Sequence, residues 1–253
     1  MIGADDALLP SGRKTAFEKL FKSVFHPVRA EMNDGAAELG MLQCLIPPGS
    51  TTIDVGANVG DFTRRLAELS KGGLVIAFEP QSLPRLVLSV TSYVRRRANI
   101  IVLPFALGAP NGSGDGLVVL KVPVKSNRNI GIGLAHIGDE ADLANRFQIK
   151  RELVSLYALD TIMAHINCAP VSLIKIDVEG GELDVLRGAE GLLRQHKPAI
   201  LCEIDNREGR FGIGKHELAE FLRALGYVPR RISDLSELPW SALDKNTVFT
   251  LSE

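Results

Sequence analysis

The stretch Thr51-Thr52-Ile53-Asp54-Val55-Gly56-Ala57-Asn58-Val59-Gly60-Asp61-Phe62 leaves few folds open to its chain. A β-branched apolar run breaks at two glycines four positions apart and passes into a helical pattern. That is the signature of a buried strand, a tight turn and a helix N-terminus. Glycine carries no side chain to hold a ligand off, so the turn is expected to present open backbone N–H groups. Asp54 adds a carboxylate where the strand ends. An acid at this place suits ammonium, hydroxyl or sulfonium groups better than a pyrophosphate.

Further strands follow at the spacing of a doubly wound α/β sheet. Leu74–Phe78, Ile100–Phe105, Ser172–Val178 and Ala199–Ile204 are nearly continuous in apolar character, as parallel strands covered on both faces are. Helices are expected over Gly60–Ser70, from Ser82 with Leu83, Leu86, Val87, Val90 and Val94 inward, from Glu182 to His196, and over Lys215–Leu225. Tyr227–Ile232 and Asn246–Leu251 read as a closing hairpin-like pair. Residues 108–150 interrupt the alternation with a glycine- and asparagine-rich segment around one strand, Gly116–Val124. Such an insertion is expected over the C-terminal edge of the sheet, where loops build and cover substrate sites.

Pro47-Pro48-Gly49 separates residues 1–50, read as a helical extension, from a domain over 51–253. Phe17, Leu20, Phe21, Val24 and Phe25 fall on one helical face, which is expected to pack on the domain, form a homodimer contact or act as a lid. With 29 basic and 30 acidic residues, the chain has no charge excess for nucleic acid or an anionic membrane. Its 3 cysteines form no CxxC pair, so neither a disulfide framework nor a zinc ribbon is indicated. No stretch approaches the ~18 apolar residues of a membrane span. A soluble, cytoplasmic protein is the expectation.

Carboxylates recur at C-terminal strand ends: Asp54, Glu79, Asp177 with Glu179, and Glu203 with Asp205. That edge is where a doubly wound sheet binds its ligand. Buried strands ending repeatedly in acids lose stability unless hydrogen bonds or a ligand compensate. Glu79 follows Asp54 by 25 residues, the place of an acid that holds two ribose hydroxyls. The turn reads Gly56-x-Asn58-x-Gly60, however, and lacks the third glycine of a dinucleotide fingerprint. Together these features point to an adenosine ligand without phosphates. Lys175, inside an apolar strand, is expected in an ion pair or at a snorkelling edge position.

Ile53-Asp54-Val55-Gly56-Ala57-Asn58-Val59-Gly60, Phe78-Glu79-Pro80 and Lys175-Ile176-Asp177-Val178-Glu179-Gly180-Gly181-Glu182 resemble the FkbM family of S-adenosylmethionine-dependent methyltransferases in order and spacing. Leu159-Asp160, Val185-Leu186-Arg187-Gly188-Ala189 and Cys202-Glu203-Ile204 extend the resemblance across residues 51–204. It implies a class I methyltransferase (Rossmann-like) fold of seven strands with the last antiparallel. It also implies S-adenosylmethionine as cofactor. Gly56, Asn58 and Gly60 would hold its methionine end, with Asp54 beneath. Glu79, with Pro80 beside it, would take the ribose hydroxyls, and Ala106 and Leu107 would border the adenine. The family methylates hydroxyls of sugars, glycolipids and polyketides. A small hydroxylated acceptor is therefore expected, with Asp177 as base or orienting group and Glu179 second. Asp177 with Asp205-Asn206 also resembles the set that holds magnesium in catechol-type O-methyltransferases, and His136 is another candidate base. The alternatives are an NAD-linked oxidoreductase and a non-catalytic adenosine-binding scaffold.

Overall fold

A computed structural model describes residues 40–109, 116–124, 148–204 and 215–252. Its main sheet is built from β1 (Thr51–Val55), β2 (Val75–Phe78), β3 (Ile100–Leu103), β7 (Val171–Ile176), β8 (Ala199–Glu203), β9 (Tyr227–Arg231) and β10 (Asn246–Leu251). The spatial order is β3-β2-β1-β7-β8-β10-β9. Every neighbouring pair is parallel except those of β10, which runs antiparallel to both β8 and β9. The expected doubly wound sheet is therefore present, and the strand that is last in sequence sits inside it.

Side chains alternate between two apolar layers, as the period-two geometry of strands requires. One layer joins Ile53, Val55, Phe78, Ile174 and Ile176 to helical residues of α4 (Glu182–Arg187), α5 (Glu190–His196) and α6 (Lys215–Ala224). The other joins Val75, Leu173, Leu201 and Val248 to Leu66 and Ala67 of α1 (Asp61–Leu69). Leu42 and Ile46 are buried in that second layer, so the chain just before Pro47 covers the sheet. The apolar face expected over residues 17–25 lies outside the described residues.

Four local expectations change. β3 ends at Leu103 rather than Phe105: Pro104 lacks the N–H to continue a ladder. Ala106–Leu107 instead form β4 of a second, three-stranded sheet, β4-β6-β5, with β5 (Gly116–Val124) and β6 (Gln148–Tyr157). β6 was not expected, because Lys150-Arg151-Glu152 hides its alternation. Val154 and Leu156 nevertheless meet Leu120, Val122 and Val118 on one face.

Helix α2 (Ser82–Val94) is the third change. Leu86, Val90 and Val94, expected inward, are exposed, while Val87, Leu88, Thr91 and Ser92 face in. Its polar inward residue is compensated: Arg64, buried on α1, donates to Thr91 Oγ1 at 3.3 Å. The same Arg64 donates to Val59 O at 2.8 Å and so braces the glycine turn from behind.

Finally, the helix expected from Glu182 to His196 is broken. Gly188 lies where a Cβ would come within 2.3 Å of Gly108 O. Asp160, in the short α3 (Leu159–Met163), accepts the N–H groups of Gly191 and Leu192 at 2.7 and 2.8 Å. It therefore caps α5 from a distance rather than its own helix, relieving orphan donors at that N-terminus.

Candidate active site

The C-terminal ends of β1, β2, β7 and β8 frame a cleft, and the second sheet closes one side of it. Gly56 and Asn58 come from the turn after β1, and Glu79, Pro80 and Gln81 from the end of β2. Ala106 and Leu107 line it from β4, with Leu120 of β5 beside them. Asp177 and Glu179 follow β7, and Glu203 ends β8. Eight of the ten residues singled out in the sequence thus meet in one cleft. The other two, Asp54 and Gly60, lie behind its wall.

The turn is not an open nest of amides, contrary to the expectation from its glycines. Gly56 and Ala57 both donate to Phe78 O at 3.0 Å, Asn58 donates to Glu79 Oε2 at 2.7 Å, and Gly60 donates to Ala57 O at 2.8 Å. These donors cannot cradle a phosphate, because anion binding at a turn needs free N–H groups. Asn58 is held at φ 51 with its Oδ1 buried and without a hydrogen-bond partner. An orphaned acceptor in a cleft wall fits a ligand that brings a donor, such as an amino group.

Glu79 is buried, and both carboxylate oxygens accept backbone N–H groups, Oε1 from Gln81 and Oε2 from Asn58, each at 2.7 Å. Burial pushes its carboxyl from 4.5 up to about 7, although those two N–H groups pull it down. A raised carboxyl contributes stability below its unfolded value that is lost as pH rises through the folded one. Free protein above pH 7 thus holds a carboxylate short of solvation, which hydroxyl donors of a ligand would relieve. Affinity for S-adenosylhomocysteine is expected to fall about tenfold from pH 8 to pH 6 as this group protonates. Calorimetric titration across that window checks it; an affinity as steep in Glu79→Gln would remove Glu79 as the cause.

Asp54 is fully buried beneath the turn. Its Oδ2 accepts the Thr63 hydroxyl at 2.6 Å, and Lys175 Nζ stands 3.6 Å from its Oδ1. Burial raises its carboxyl above the ordinary aspartate value, against the pull of Lys175 and Thr63. Lys175 also donates to Asp177 Oδ2 at 3.0 Å, so the ion pair expected of it is present. Burial would lower its ammonium, but the two carboxylates outweigh that and hold it above the usual lysine value.

Glu179 adopts φ 58, a left-handed conformation that ordinary side chains rarely take. Glu182 folds back on the turn before α4: its Oε1 accepts the N–H groups of Val178 at 3.3 Å and Gly180 at 3.0 Å. Glu203 is tied to Lys245 at 2.7 Å. Among the described residues no group of three or more His, Cys, Asp and Glu is placed to hold a metal, and Asp205, Asn206 and His136 lie outside those residues. No helix among the described residues is long and apolar enough to cross a membrane.

Sequence reasoning missed Gln81, Phe105 and Leu120 as cleft residues. The alternation Val118, Leu120, Val122 carried the signal for the last, but only once β6 is recognised as its partner.

A family model described as the methyltransferase FkbM domain matches residues 54–229. This chain belongs to the FkbM methyltransferase family. The match is to a methyltransferase family and not to the oxidoreductase alternative. Among curated relatives, 31-O-demethyl-FK506 methyltransferase FkbM of Streptomyces tacrolimicus is 27% identical over 196 residues, which cover 71% of this chain and 73% of that protein. AMB antimetabolite synthetase AmbE of Pseudomonas aeruginosa is 24% identical over 241 residues. That alignment takes in 87% of this chain but spans only 11% of AmbE. A crystal structure of methyltransferase FkbM from Methylobacillus flagellatus KT superposes with a TM-score of 0.50 at 16% identity. It covers 94% of this chain and 59% of that one, and a likeness at this level speaks for the shared FkbM fold.

Proposed function

We propose that this FkbM-family protein transfers a methyl group from S-adenosylmethionine to a hydroxyl of a sugar, glycolipid or polyketide-like small molecule. One observation carries the cofactor reading: the buried Glu79 carboxylate and the orphaned Asn58 Oδ1 share a cleft in which the N–H groups of Gly56, Ala57, Asn58 and Gly60 are bonded within the protein. Such a wall favours ribose hydroxyls and an amino-acid tail over phosphates. The acceptor reading is supported by the relative named for a 31-O-demethyl substrate.

The cofactor supplies an electrophilic methyl carbon on a sulfonium. Glu79 would hold the two ribose hydroxyls, and Asn58 would take a donor from the methionine end. Pro80, Ala106 and Leu107 would bound the adenine. Asp177 stands at the end of β7, the strand paired with β1, with its side chain 30% exposed. From a rigid strand end it orients the acceptor hydroxyl and takes its proton as the oxygen attacks.

Calorimetric titration with S-adenosylhomocysteine tests the first half, with micromolar binding expected; absence of binding removes the proposal. Incubation with labelled cofactor and a panel of hydroxylated sugars and macrolides tests the second half. Label released by base treatment from a carboxyl ester, or found on nitrogen, would replace the O-methyl reading.

A further inference from the structure

Lys175 is the fifth of the six residues of β7, between Ile174 and Ile176, two fully buried residues. Its side chain is only 12% exposed and turns to the α1 side of the sheet, where the Phe62 ring stands 5.8 Å from the ammonium. The ammonium meets three acceptors from different parts of the chain: Asp177 Oδ2 at 3.0 Å, the Gly56 carbonyl oxygen at 3.4 Å and Asp54 Oδ1 at 3.6 Å. Asp54 Oδ1 has no hydrogen bond besides this electrostatic contact.

A cluster of this kind is a poor means of stabilising a sheet. Replacing a buried ion pair by apolar residues of similar volume is often neutral or favourable, whereas removing one partner leaves an uncompensated charge. Leu173, two residues earlier on the same face, packs in the layer against α1, so this face of the strand accepts an aliphatic side chain. What the ammonium does that such a side chain cannot is hold a backbone carbonyl of the glycine turn and a side chain at the end of β7 at one point.

We propose that Lys175 is a positioning residue that ties the turn after β1 to Asp177, so that the wall seating the cofactor and the wall carrying the base are held as one unit. The inference rests on the methyltransferase reading of this cleft. It distinguishes Lys175 from Thr63, which fixes only Asp54.

The test is a mutant cycle of Lys175→Met, Asp54→Asn and the double variant. Each is read by thermal melting and by titration with S-adenosylhomocysteine. Lys175→Met strands two carboxylates, so it is expected to melt lower and to bind the ligand at least about tenfold more weakly. The double variant removes the Asp54 charge as well and is expected to regain the melting temperature of Asp54→Asn. It should still bind at least about tenfold more weakly than Asp54→Asn, which keeps the lysine's contacts to Gly56 and Asp177. Recovery of both properties in the double variant overturns the inference, because Lys175 is then only a counter-ion for Asp54. A double variant that stays as unstable as Lys175→Met overturns it too, by assigning the lysine to the fold. If Lys175→Met fails to fold, the comparison of the other two still decides. Wild-type protein that does not bind S-adenosylhomocysteine instead fails the cofactor reading itself, an outcome separate from any of these.

Discussion

Gly56→Ala is expected to abolish measurable binding of S-adenosylhomocysteine, a loss of more than about a hundredfold. A Cβ at this position would lie 1.8 Å from the backbone oxygen of Asp177, and φ is 77, where an L-residue is strained. The neighbouring atom is main chain at the end of β7, so no side chain can swing aside. Either the turn lifts from β7 or β7 shifts, and both displace the wall that carries Asn58 and Asp177. Gly72→Ala is the matched control. It has φ 87 with nothing within 4 Å of the new Cβ, so it should lose only about 1–2 kcal/mol of stability and leave binding intact. Equal behaviour of the two variants would mean that close approach at Gly56 has no part in the site.

Asp177→Asn is expected to lower turnover about 10²–10⁴-fold while leaving affinity for S-adenosylhomocysteine within a few-fold of wild type. Asparagine keeps an oxygen for Lys175 and the shape of the wall, but it cannot take a proton from an alcohol. The measurement is the rate of S-adenosylhomocysteine release with the acceptor identified by labelling. Unchanged turnover would take the base role from Asp177. Glu179, held at φ 58 on the same wall, would then be the group to test.

Much of this was legible in the chain because strand, turn and helix each follow a local rule. The order of β1, β2, β7 and β8 followed from apolar runs, and the acids at their ends marked the cleft edge. The illegible parts depended on partners distant in sequence. Thr91 turned inward against expectation because Arg64 of α1 supplies a donor that no periodicity in α2 can announce. The N–H groups of Gly56, Ala57 and Asn58 proved closed because Phe78, the last residue of β2, and Glu79 after it accept them, although the glycines alone suggest an open cradle. β6 stayed hidden because its inward face alternates with charged residues, and its partner strand β5 lies in the same insertion. The helix break at Gly188 was invisible for the same reason, since the obstacle is the carbonyl of Gly108.

The placement of β10 has a consequence for how the sheet is assembled. β8 is made first, then β9, and the space between them is filled by residues 246–251, with Val248 and Phe249 fully buried. Until those residues leave the ribosome, two strands on either side of an empty slot show unpaired edges, a template for association with other chains. The sheet therefore closes one strand in from its β9 edge, and only once β10 has been made. A chain cut before Asn246 would lose more than an edge strand: it would leave β9 with no partner in the sheet.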